Sequence, residues 1–201
     1  MKKTTKINEA IELIRQMGVV RPRDLSSHGI PPEYLRRLHA RGLVSQLAHG
    51  VYRASDAEVT AYSSLATVAK RVPDCVICLL SALRFHEITT QSPADVWIGI
   101  QSGARVPMLT GLLVRVIRYS KDSLMTGCDA HVIEGVPVNV TNPGKTVADC
   151  FKYRNKIGVD VAIEALRECT RLRLATSGQI AEYAKANRVL NVMRPYLEAM
   201  S

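Results

Sequence analysis

Apolar residues recur at helical spacing near the start of the chain: Ile7, Ala10, Ile11, Ile14 and Met17, with Leu13 beside them and Gly18 as a stop. That pattern predicts a helix over residues 5–17. Pro22 suits a first helical turn and Leu25 supplies an inward contact. Gly29 and Ile30-Pro31 then interrupt the chain, so a short second helix is predicted near residues 22–28. A third helix is predicted over residues 32–41, closed by Gly42, with Glu33 near its positive end and Arg41 near its negative end. At 100° per residue Leu35 and Leu38 fall on one side, flanked by Tyr34 and His39, while Glu33, Arg36, Arg37 and Ala40 point away. Residues 43–47 and 51–53 read as two short strands around His49-Gly50, where Gly50 can adopt positive φ.

Three helices and a hairpin make a winged helix-turn-helix pattern. The third helix would enter the major groove and the hairpin would lie along the backbone. A solvated basic helix in a small bundle shares the outward arginines. The agreement of helix lengths, turn, charge and hairpin favours the winged helix.

Beyond it, residues 56–71 lack Gly and Pro and predict a connecting helix ended by Pro73-Asp74. Residues 75–86 read as a short buried strand turning into a helix. Residues 95–101 and 112–119 alternate as strands, and residues 132–133 and 136–140 form a hairpin around Glu134-Gly135. From Pro143 the pattern is helical, with segments over 161–172 and 177–186 and a last one reaching Leu197. The expected fold class is α+β: a winged helix-turn-helix over residues 1–55, then a larger domain over 56–201 with a small, mostly antiparallel sheet and covering helices.

Composition narrows the partners. The 201 residues carry 27 Lys and Arg against 18 acids, a net charge of +9. Residues 1–53 hold ten bases and four acids, so two thirds of the excess lies in the first quarter. Such a field favours polyanions. Aromatics are 5% of the chain, too few for an extended surface that stacks single-stranded bases. Double-stranded DNA is therefore the expected partner. Arg36 and Arg37 are the candidates for base-edge or phosphate contact, and Arg21, Arg23, Arg41 and Arg53 are candidate phosphate clamps. Because one winged helix is a small reader for a genome, the operator is expected to hold repeated half-sites. No run approaches the roughly 18 apolar residues needed to span a bilayer, and residues 1–6 lead into an amphipathic pattern, so a soluble cytoplasmic protein with no membrane partner is expected.

Candidate chemistry is sparse. Cys75-x-x-Cys78 and Cys128-x-x-His131 offer zinc ligand types, but each pair adjoins apolar residues; the five cysteines are expected as reduced core thiols, with neither metal nor cofactor. Residues 142–146, Asn-Pro-Gly-Lys-Thr, resemble the end of a phosphate loop, yet its first glycine position is Asn139, which favours Asn142 as a helix cap. A metal nuclease would need a lysine where Gly103 stands, and no nucleophile-elbow glycines surround Ser81 beside His86 and Asp149. An enzyme is not expected.

The wing ending Gly50-Val51-Tyr52-Arg53, the segment from Cys78 to His86, and the run Lys145-Thr146-Val147-Ala148-Asp149-Cys150-Phe151 together resemble the AbiEi-like antitoxin family, in the family's order. The resemblance implies a bacterial type IV antitoxin of the phage-defence kind, whose N-terminal winged helix represses its own operon and whose C-terminal domain carries antitoxicity. It also implies a nucleotidyltransferase-like toxin as functional partner, without an obligatory stable complex, and an antitoxin surface around Arg84, His86, Lys145 and Asp149. The family's DNA-reading helix maps onto residues 32–41 and its wing onto 43–53. Here Gln46 and His49 make the wing less basic than is usual for the family. A winged-helix transcriptional regulator with a ligand-sensing or oligomerising second domain is the alternative; a metal-dependent nuclease is a more distant one.

Overall fold

The computed structural model describes residues 6–106 and 109–200. The expected helix start at residue 5 lies outside them. Contacts divide the chain into two compact units. One takes the chain up to Asp74 with residues 105–114 and 130–138; the other takes residues 75–104, 115–129 and the remainder from Asn139.

The first unit contains α1 (Lys6–Met17), β1 (Val19–Val20), α2 (Pro22–Ser26), α3 (Glu33–Ala40), β2 (Val44–Ala48), β3 (Val51–Ala54) and α4 (Ser63–Arg71). Ala10, Ile14, Leu25, Leu35 and Leu38 form its core, so the helical faces read from periodicity are those that pack. The hairpin gains a third strand, in the order β1-β3-β2, with Val19 opposite Arg53 and Val20 opposite Tyr52. Two residues carry no legible period, so β1 is visible only through its partner.

The connecting helix starts at Ser63 instead of Asp56. The residues before it are held by a tertiary contact: the Glu134 carboxylate accepts hydrogen bonds from Thr60 N at 3.0 Å and Thr60 Oγ1 at 2.8 Å. Glu134 and Gly135 both have positive φ, 48° and 74°, as a type I′ hairpin turn requires. Gly18 and Gly135 meet backbone to backbone; a Cβ on either would run into a carbonyl, of Glu134 or of Met17. These contacts carry the first unit past the expected boundary at residue 55.

The rest of the chain supplies β4 (Val76–Ile77), α5 (Leu79–Phe85), β5 (Val96–Gln101), β6 (Val114–Tyr119), α6 (Lys121–Met125), β7 (Cys128–Ile133), β8 (Val136–Thr141), α7 (Pro143–Lys152), α8 (Arg154–Ile157), α9 (Val159–Arg171), α10 (Ser177–Ala186) and α11 (Leu190–Ala199). Five strands form one sheet in the order β6-β5-β4-β8-β7. Its middle strand β4 is antiparallel to β5, with Val76 opposite Gly99, and parallel to β8, with Val76 opposite Asn139. Leu79, Leu83, Ile117, Val147, Phe151, Leu166 and Ile180 share the core of the second unit. Helix α7 is buried from Gly144 to Phe151, as a helix enclosed on all sides must be. Its start is capped by Asn142, whose Oδ1 accepts from Lys145 N at 2.9 Å, with Pro143 in the first turn. The fold is α+β.

Candidate nucleic-acid interface

Leu35 and Leu38 anchor α3, at 2% and 0% exposure, and this orients the helix. Arg36 and Arg37 consequently face solvent, and Arg41 is exposed just past the last turn. Arg37 Nη2 stands 3.8 Å from Glu33 Oε1, and its guanidinium lies over the Tyr34 ring, 5.2 Å from the centroid. Such an exposed pair is worth about 0.3–0.5 kcal/mol and can be exchanged for a phosphate. Arg36 has no acidic partner among the described residues and lines an open concavity of about 470 Å³ with Pro22, Pro32, Glu33, Leu35 and Tyr52. His39 Nδ1 lies 3.0 Å from the Val44 carbonyl and its ring meets Tyr52 edge-on, tying α3 to the hairpin.

The remaining expected clamps separate into two kinds. Arg23 is exposed on α2. Arg53 corrects the expectation: its side chain is 11% exposed, its Nη1 donates to Ser63 Oγ at 3.0 Å and to Glu134 Oε2 at 3.5 Å, and it is therefore an internal tie. Strand β3 lies between β1 and β2, and Arg53 is enclosed there by Ser63 and Glu134. Arg21 is likewise spent inside the unit. Its Nη1 donates to the Lys70 carbonyl at 2.6 Å, its N–H to Asp24 Oδ2 at 2.7 Å, and Lys70 Nζ lies 2.9 Å from the same carboxylate. Burial pushes the Asp24 carboxyl up, but hydrogen bonds from Lys70 and the Arg21 N–H, with the Lys70 charge, hold it below the usual aspartate range.

In the second unit the four residues of the expected antitoxin surface do not share one. Arg84 is exposed and His86 half-buried, its Nε2 donating to the Thr141 carbonyl at 2.8 Å. Lys145 and Asp149 are core residues, 3% and 0% exposed, which corrects their placement on a surface. The i,i+4 spacing on α7 sets Lys145 Nζ 3.4 Å from Asp149 Oδ2. Asp149 also accepts from Tyr119 OH at 2.8 Å and from Asn187 Nδ2 at 2.7 Å, so three elements converge on one carboxylate. Lys145 Nζ further lies 4.9 Å from the Tyr119 ring centroid. Such a fully partnered buried charge orders a core. Burial, then the neighbouring Cys78 and Asp149, push the Tyr119 hydroxyl well above its usual range.

Cys75, Cys78, Cys150 and Cys169 are buried free thiols and Cys128 is partly covered. Burial pushes Cys128 and Cys169 up to about 11 and holds Cys78 and Cys150 well above the usual thiol range. They stay protonated near neutrality, the form least suited to bind metal or attack an electrophile. Among the described residues no group of three His, Cys, Asp or Glu side chains is placed to hold a metal ion. No helix among them is long and apolar enough to cross a membrane.

Sequence reasoning missed Glu134, Lys70, Tyr119 and Asn187, whose roles depend on partners 30 to 81 positions away. The Glu134-Gly135 turn was legible, but its acid as the counter-charge of Arg53 was not.

The first unit therefore has winged-helix geometry with an outward arginine face, and the second unit is built around a sheet and a buried ion pair. Residues 8–55, from within α1 to just past β3, match a family model described as transcriptional regulator, AbiEi antitoxin. Among solved structures the chain is similar to the RV2827C protein from Mycobacterium tuberculosis, with a TM-score of 0.64, 14% sequence identity, and coverage of 98% of this chain and 80% of that chain. At that identity the likeness shows the fold alone. No curated protein matches the chain.

Proposed function

We propose that the chain is a non-enzymatic antitoxin of a type IV toxin-antitoxin pair that binds its own operator and represses its operon. One observation carries the reading: the segment matched by the AbiEi antitoxin regulator family is the segment whose α3 turns Arg36 and Arg37 to solvent over a Leu35 and Leu38 core. Residues 1–55 read duplex DNA, with α3 in the major groove and Arg23 and Arg41 on the backbone. The operator holds repeated half-sites, because a reader this small gains affinity from a second copy through effective concentration. Residues 56–201 carry antitoxicity toward a nucleotidyltransferase-like toxin without an obligatory stable complex. Arg84 is the exposed member of the expected surface, whereas Lys145 and Asp149 lie in the core.

The test has two arms. In a mobility-shift titration, Arg36→Ala with Arg37→Ala is expected to weaken binding to the chain's own promoter duplex at least about tenfold, since each bidentate base contact is worth about 1–3 kcal/mol. In cells, the toxin is co-expressed from an unrelated promoter with that double variant or with residues 1–53 alone. Rescue by the variant but not by the fragment supports the division of labour. A wild-type shift by the double variant, or rescue by the fragment alone, refutes it.

A further inference from the structure

We propose that Arg23, His49 and Arg71 form a seat for a backbone phosphate of duplex DNA, beside the concavity that holds Arg36; this rests on the DNA-binding reading above. The three side chains come from different elements: Arg23 from α2, His49 from the turn between β2 and β3, and Arg71 from the last turn of α4. They line a second open concavity of about 430 Å³, which also includes Arg21, Pro22 and Gly50. Pro22 borders this concavity and the one lined by Arg36, so the two adjoin across the start of α2.

The wing turn keeps the seat open. Gly50 has φ +70°, and Arg71 Nη1 stands 4.0 Å from where a Gly50 Cβ would be. The guanidinium therefore lies over bare backbone next to an exposed imidazole. A half-buried network keeps Arg71 there. Lys70, its chain neighbour, is tied by Nζ to Asp24 and by its carbonyl to Arg21, so the end of α4 is fastened to the start of α2. The same network removes the nearby negative charge, because Asp24 is satisfied by Lys70 and Arg21. Arg23, His49 and Arg71 are exposed and have no acidic partner among the described residues. Arginine offers a planar fork suited to phosphate oxygens, and histidine offers an imidazole N–H in either protonation state. The chemistry selects an oxyanion and no particular base, so the contact fixes position on the duplex without reading sequence.

The experiment measures binding of the full chain to its promoter duplex and to an unrelated duplex of equal length, by fluorescence anisotropy over a range of salt. Removing one phosphate contact lowers the slope of log K against log salt by about 0.9. Arg71→Gln and Arg23→Gln are each expected to lower it by that amount and to weaken binding about three- to tenfold at 0.1 M salt, equally on both duplexes. Arg71→Lys is expected to keep the slope, and so is Lys185→Gln, an exposed site on α10 of the second unit. Circular dichroism checks folding; if Arg71→Gln fails to fold, Arg23→Gln decides. An unchanged slope in a folded variant overturns the seat and leaves the DNA reading standing. An equal fall for Lys185→Gln also overturns it, as an effect of net charge. Failure of the wild type to bind any duplex overturns the DNA reading and the seat with it.

Discussion

Lys145 of the second unit is placed in the opposite way to the exposed arginines of the first. In the first, Arg23, Arg36, Arg41 and Arg71 lie on the surface without acidic partners among the described residues, while in the second Lys145 is withdrawn into the core and surrounded by Asp149 and Tyr119. A cation left hydrated can exchange water and counterions for a phosphate. A cation already desolvated by its own fold has no such choice, and its role is to order what surrounds it. The contrast also runs inside the first unit, where Arg21 and Arg53 are internal ties while Arg23, two residues from Arg21, is exposed. Chain position and residue type therefore do not identify the binding cations; partners and exposure do.

The sharpest way to break this comparison is Asp149→Ala. It strands Lys145, Tyr119 OH and the Asn187 amide in the core, and the expected loss is about 3–5 kcal/mol, the range for removing one partner of a buried charge pair. Urea unfolding followed by the Trp97 fluorescence of the second unit measures it; a loss under about 1 kcal/mol would mean that the pair is not structural. Glu134→Ala tests the first unit in the same way. Arg53 would lose its counter-charge and Thr60 its acceptor, at an expected cost of about 2–3 kcal/mol, smaller because the carboxylate site is nearer solvent.

pH acts with opposite sign on one carboxylate of the first unit and two thiols of the second. Asp24 in the first has a folded pKa below its unfolded value of about 3.9, so its contribution is present above that pH and is lost as the pH falls through the folded value. Cys128 and Cys169 in the second have folded values near 11 against about 8.5 unfolded. Their contribution is complete below about pH 8.5 and is lost as the pH rises toward 11. The acid loss is expected to shrink in Asp24→Asn and the alkaline loss in Cys169→Ala, each compared with its own neutral-pH stability. The smallest effect on stability belongs to Arg36→Ala with Arg37→Ala, within about 0.5 kcal/mol as for exposed positions, although the same variant is expected to lose DNA binding. A large destabilisation there would make α3 a packed helix instead of a reading face.

Much of the first unit was legible because its signals are local. Gly18 ends α1, Pro22 opens α2, Gly50 turns the hairpin, and the 100° spacing of Leu35 and Leu38 already turns Arg36 and Arg37 outward. Helix α10 is found at its expected limits, because Thr176 and Gln179 form a capping box within one turn. The parallel pairing of β4 with β8 was not legible: a two-residue strand has no period, and its partner lies more than sixty positions away. Arg53 and Lys145 read as functional cations for the same reason. The sequence by itself determined α1 to α3, the hairpin and the concentration of charge at one end, since these follow from propensity, periodicity and composition. Only the tertiary structure decided which cations remain for a partner, because that depends on acids such as Glu134 and Asp149, and on exposure, which the fold assigns after the local elements have formed.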